Sequence, residues 1–114
     1  MRRIVSSGSV KAFSINRYDL LNRLREISKE LKTRFLYVED VFLFGSFARE
    51  EERGLSDIDL LVVVKELSKE NFWKIFSELY DFISEKLDIA FDLIVISKES
   101  FEQNPNKFGK ILRI

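Results

Sequence analysis

Early in the chain Leu20, Leu24, Ile27 and Leu31 recur three or four positions apart, with charged residues between them. That spacing puts them on one face of an α-helix. Asn16 can cap its start and Asp19 suits the positive end of the helix dipole, so the pattern predicts a helix from about Asn16 to Thr33. Residues 1–15 carry no comparable pattern and read as a loosely ordered lead-in or a short edge strand. Val38 to Phe44 is β-branched and aromatic, a strand ended by Gly45. Ser46 to about Glu52 can form a short helix, and Gly54-Leu55-Ser56 a turn. Asp57 to Val64 reads as a second strand, apolar on both faces toward its C-terminal end, as suits a central strand. Ser68 is placed to cap a longer helix reaching about Lys86. Its Phe72, Ile75, Phe76, Leu79, Phe82, Ile83 and Leu87 share one side, and Trp73 and Tyr80 widen it. Ile89 to Ile96 makes a third strand. Asn104-Pro105 has the form of a cap followed by proline at the first helical position, predicting a short helix through Leu112. This alternation belongs to an α/β or α+β protein.

Composition narrows the chemistry. The 114 residues suit one domain with an adequate core. Acidic and basic residues balance at nineteen each, so no broad nucleic-acid-binding surface is expected. Cysteine and histidine are both absent. That removes disulfides, thiolate and imidazole metal sites, and histidine-based triads, leaving acid–base and metal chemistry to carboxylates, lysines, tyrosines or water. No apolar run approaches the roughly 20 residues needed to cross a bilayer, and Met1-Arg2-Arg3 lacks the apolar stretch of a secretion signal. A cytoplasmic protein without a membrane partner is the expectation.

Three short features can carry chemistry. Asp57 and Asp59 are two apart in a strand and therefore point to the same face. Two such anions repel, and magnesium, which takes oxygen ligands, is one way to relieve them; a solvated strand end after a turn is the plainer alternative. Gly45-Ser46, after a strand and before a helix, has the form of a phosphate-binding turn, although Gly-Ser also serves in ordinary strand-to-helix turns. Asp92 sits inside Phe91-Asp92-Leu93-Ile94-Val95-Ile96, where an acid conflicts with the strand pattern. It marks either a site or a buried ion pair. Together, three carboxylates without histidine or cysteine match a two-metal phosphoryl-transfer site.

Gly45-Ser46-Phe47-Ala48-Arg49, then Ser56-Asp57-Ile58-Asp59-Leu60-Leu61-Val62, then Asp92, resemble the signature of the polymerase-β-like nucleotidyltransferase superfamily. The resemblance is closest to the minimal nucleotidyltransferases of prokaryotes, which often act as antitoxins beside a HEPN-domain toxin. It covers residues 36–97 closely, and the leading helix and Asn106-Lys107-Phe108-Gly109-Lys110-Ile111-Leu112 fit the layout. The resemblance implies an α+β fold, a small mixed β-sheet flanked by helices, over a single domain of residues 1–114. It implies that Gly45 and Ser46 hold the β- and γ-phosphates of a nucleoside triphosphate donor, expected to be ATP. Asp57, Asp59 and Asp92 would hold two magnesium ions, with Asp92 also helping to deprotonate the acceptor. Arg49 would serve phosphate or an ion pair. Glu50 departs from the family, which usually has glycine there, and its charge would weaken triphosphate binding unless the run Glu50-Glu51-Glu52 lies on a solvated face.

Larger members carry extra domains that grip the acceptor, and this chain has essentially none. A partner is therefore expected to complete the site, with the aromatic face around Trp73 and Tyr80 as a docking surface or as core. The expected function is transfer of AMP to a hydroxyl, a tyrosine of a HEPN-type toxin. The alternative is a catalytically weak module that neutralises its partner by contact. Self-association stays open.

Overall fold

The computed structural model describes residues 17–45 and 58–114. The lead-in over 1–15 and the short helix over 46–52 fall outside the described residues. Helix α1, Arg17–Arg34, buries Leu24, Ile27, Ser28 and Leu31, the stripe its spacing predicts. Asp19 lies in its first turn and Lys32 and Arg34 in its last, each matched to the helix dipole. Strands β1 (Val38–Phe44) and β2 (Ile58–Val64) pair antiparallel. Helix α2 (Phe72–Lys86) then crosses back to β3 (Phe91–Ser97), which pairs with β2 in parallel. A helical crossover is what a parallel pair requires.

Helix α2 begins four residues later than Ser68. Ser68 and Asn71 bond reciprocally, Ser68 N–H to Asn71 Oδ1 at 2.7 Å and Asn71 N–H to Ser68 Oγ at 3.3 Å. The serine thus closes the turn before the helix instead of capping it. At the other end the Arg23 guanidinium donates to the Lys86 carbonyl at 2.7 and 3.2 Å, satisfying an orphan acceptor of α2 and tying it to α1.

The C-terminal segment corrects the sequence expectation. The helix lies earlier, as α3 (Lys98–Gln103), and its cap is Ser97, whose hydroxyl accepts from Ser100 N–H at 3.1 Å. Asn104 ends that helix, its N–H donating to the carbonyls of Ser100 and Phe101. From there the chain turns twice, with Lys107 N–H to Asn104 O and Gly109 N–H to Asn106 O both at 3.2 Å. It finishes as β4 (Leu112–Arg113), antiparallel to β1. Proline after asparagine fits a turn as well as a helix start. Here the outer side of β1 offers backbone partners that a helix over 105–112 would leave unused.

The sheet order is β3-β2-β1-β4. One face packs on α1 and α2 through Ile58, Leu60, Val62 and Val64 of β2 against Leu24, Ile27, Leu31, Ile75, Leu79 and Ile83. The other face buries Phe42, Leu61 and Val63 beneath Phe101, Phe108 and Ile111. Central strand β2 is thus covered on both sides, as its continuous apolar run anticipates. Among the described residues no helix is long and apolar enough to cross a membrane.

Candidate active site

The site grows from three strand positions at one end of the sheet. Strand β1 stops at Phe44 because Gly45 turns the chain with φ +73°, a conformation that side-chain-bearing residues rarely adopt. Phe44 pairs with Asp59 across β1 and β2, and Asp59 pairs with Asp92 across β2 and β3. Residues in direct register on neighbouring strands point to the same face, with strands about 4.8 Å apart. The two carboxylates therefore stand side by side, and the glycine turn stands against them. A Cβ built on Gly45 would overlap Asp59 Oδ2 and lie 3.0 Å from Asp59 Cγ. Only glycine lets the turn approach the acid this closely.

Alternation along β2 sends Ile58 and Leu60 into the helical core and Asp59 to the opposite face. Among the described residues that face is covered toward its far end by α3, while near the acids Asp92 is exposed and Ile94, two residues on, is 36% exposed. Asp59 is half-buried. Phe44, beside it, packs its ring on Phe108 at 5.5 Å, forming an apolar wall on the β1 side. Asp92 is accordingly a strand acid at an open sheet edge, and it takes part in none of the salt bridges among the described residues.

The structure thus brings Gly45, Asp59 and Asp92 to one corner. Ser46, Arg49, Glu50 and Asp57 lie outside the described residues, Ser46 directly after Gly45 and Asp57 directly before Ile58. Among the described residues no three acidic side chains gather in a metal-binding group. Two in-register carboxylates with a glycine cradle nevertheless suit a hard divalent cation, which uses one or two carboxylates and completes its shell with substrate phosphate and water. The wall of Phe44 and Phe108 could not be assigned from sequence, because Phe108 reaches the site only through the unforeseen β4 pairing.

Tyr37, away from this corner, has a strongly shifted acidity. Burial, then the hydrogen bond and negative charge of Glu78, push its phenol well above the ordinary range. Its hydroxyl donates to Glu78 Oε1 at 2.8 Å, pinning α2 beside the start of β1.

A mixed sheet with a glycine turn at the end of one strand and paired acids on the next two defines the nucleotidyltransferase class. The chain belongs to the nucleotidyltransferase domain family, whose model matches residues 24–113, and it is an enzyme of that kind. Two relatives from Methanocaldococcus jannaschii are each named "Putative protein adenylyltransferase". One is 40% identical over 72 residues, 63% of this chain and 69% of the relative; the other is 41% identical over 71 residues, 62% and 78%. The crystal structure of a "putative nucleotidyltransferase" from Sulfolobus solfataricus superposes with TM-score 0.62 at 25% identity, covering 95% of this chain and 87% of the other.

Proposed function

We propose that this protein transfers AMP from ATP to a hydroxyl of a partner protein, a tyrosine of a HEPN-domain toxin, and so acts as an antitoxin. The observation that carries the transferase chemistry is the register pairing of Asp59 with Asp92 beside the Gly45 turn. The names of the Methanocaldococcus relatives support protein as the acceptor. The toxin and the tyrosine rest on the resemblance to minimal nucleotidyltransferases.

In this reading Gly45 and Ser46 present backbone N–H groups, and Ser46 its hydroxyl, to the β- and γ-phosphates. Arg49, four residues after Gly45 in the sequence, would offer its cation to phosphate. Asp57, Asp59 and Asp92 would hold magnesium, which supplies charge neutralisation at the α-phosphate and the leaving oxygen when bound. Asp92, at the open side of the pair, takes the proton of the acceptor hydroxyl. The acceptor oxygen forms a bond to the α-phosphorus in line, the α–β bridging P–O bond breaks, and pyrophosphate leaves. Phe44 and Phe108 keep water from one flank of Asp59.

Wild-type protein incubated with ATP, magnesium and a cognate HEPN-domain partner should yield a partner carrying one AMP on a tyrosine, and Asp59→Asn or Asp92→Asn should yield none. Unmodified partner under all nucleotides, with tight binding retained, would reject the transfer. The contact-only reading draws on one observation: Trp73 is 70% exposed and Tyr80 41%, in a row of rings running Trp73–Phe76–Tyr80–Phe91 at 5.0–6.0 Å spacing. Protection of cells that survives Asp57→Asn and Asp59→Asn but fails on Trp73→Ala would select it.

A further inference from the structure

The two edges of the sheet are built differently. On one side β1 is covered by β4, which is only two residues long and carries the charge of Arg113. A short edge strand with a cation is a poor template for another strand. On the other side β3 runs for seven residues in unbroken register with β2, from Ile58 with Phe91 to Val64 with Ser97. It holds no proline, glycine or lysine, and its one charge is Asp92. Among the described residues no strand pairs with its outer side. A long, regular, apolar edge presents backbone donors and acceptors of the kind that proteins cover or blunt.

Backbone alternation decides which residues face outward. Ile58 N–H donates to the Ala90 carbonyl at 3.2 Å. In a strand the N–H and C=O of one residue point to the same side, and successive residues alternate. Asp92, Ile94 and Ile96, in phase with Ala90, therefore turn their backbone groups to β2, and Phe91, Leu93 and Val95 turn theirs away. Apolar surface borders this edge on both faces of the sheet. Ile94, the middle residue of the strand, is 36% exposed on the face of the acids. On the helical face Tyr80, 41% exposed, packs its ring on Phe91 at 5.0 Å.

We propose that the outer edge of β3 pairs antiparallel with β3 of a second copy of this chain, about a two-fold axis at Ile94. In this register the strand is its own complement. Leu93 meets the second copy's Val95, and Val95 its Leu93, so that outward backbone groups meet one another. Ile94 meets its own counterpart as a pair without hydrogen bonds, with Cα atoms about 4.5 Å apart. Asp92 falls opposite Ile96, and no like charges face each other. This centre alone overlaps all seven residues of both strands, whereas centring on Asp92 would set acid against acid. The axis runs perpendicular to the joined sheet, so both carboxylate corners open on the same side, their Asp92 residues about 14 Å apart along the strands. The pairing surface is separate from the transferase chemistry proposed above and does not depend on it.

The chain has no cysteine, so a single introduced one reports the register. Ile94→Cys should cross-link into a covalent dimer under mild oxidation, because a Cα separation of about 4.5 Å is within disulfide reach. Glu99→Cys, also exposed but beyond the end of β3, should not. Sedimentation of the uncross-linked protein gives the second measurement, with circular dichroism checking that each variant is folded. Wild type should sediment as a dimer. Ile94→Lys and Ile94→Glu should each raise the dissociation constant at least about tenfold, and an equal mixture of the two should dimerise again. Wild type that stays monomeric at all concentrations, as when the edge takes a strand of a different protein, would overturn the proposal. So would dimerisation untouched in Ile94→Lys, or cross-linking equal in Ile94→Cys and Glu99→Cys.

Discussion

Among the described residues, fifteen buried apolar residues form one continuous cluster on the sheet face turned toward α1 and α2, whereas the opposite face buries three, Phe42, Leu61 and Val63. Both faces are built from the same strands, and alternation alone decides which residue goes where. Asp59 lies between Ile58 and Leu60, both buried in the thick layer, yet points into the thin one. The thin face is where two neighbouring acids can be solvated or hold a cation, since burying such a pair without a counter-charge is costly. The larger buried cluster lies on one side of the sheet and the proposed chemistry on the other, so each should be separately breakable.

The largest separation is expected from Asp59→Asn. Transfer should fall by about a thousandfold, the scale for losing a key electrostatic contact in a transition state, while the thermal midpoint stays within a few degrees of wild type. A variant that loses both together would show that Asp59 is structural. Leu79→Ala, deep under α2, is the converse. It should cost about 2–5 kcal/mol in urea denaturation and leave the ATP affinity of the remaining folded protein unaltered. Phe108→Ala lies where the two regions meet. Its ring is only half-buried, so about 1–2 kcal/mol is expected, with a fall in transfer that exceeds the stability loss because Asp59 loses its apolar wall.

Smaller effects sharpen the same contrast. Tyr37→Phe removes the bond to Glu78 and should cost about 1 kcal/mol at neutral pH. Because the folded phenol ionises later than the unfolded one, stability should decline as pH rises past about 10, where only the unfolded tyrosine loses its proton. Denaturation at pH 9 and 10.5 should show less of this decline in Tyr37→Phe. Trp73→Ala should change stability by no more than about 0.5 kcal/mol, as exposed positions do, yet weaken binding of the protein acceptor in a pull-down titration.

Local pattern carried much of the fold. The stripe Leu24, Ile27, Leu31 placed α1 to within a residue at each end, and β1 coincides with the β-branched and aromatic segment from Val38 to Phe44. Pattern failed at Asn104-Pro105, which reads as a helix start, because the free side of β1, a partner far away in sequence, takes the following segment as β4. The site divides the same way. Spacing predicts Asp57 and Asp59 on one face, with Asp57 outside the described residues, and the misfit of an acid in a strand drew attention to Asp92. That Asp92 stands level with Asp59 depends on the parallel register of β2 and β3, which no local pattern encodes. Phe108 was visible as a residue but had no place beside Phe44 until β4 was paired.

The proposed transfer of the α-phosphorus at the corner of Gly45, Asp59 and Asp92 is the step on which the rest depends. ATP labelled in turn at the α- and at the γ-phosphate, given to the protein with magnesium and its protein acceptor, tests this most directly. The prediction is acceptor labelled from the α position alone, with pyrophosphate released and all labelling lost in Asp92→Asn. Label arriving from the γ position, or α label undiminished in Asp92→Asn, would contradict it.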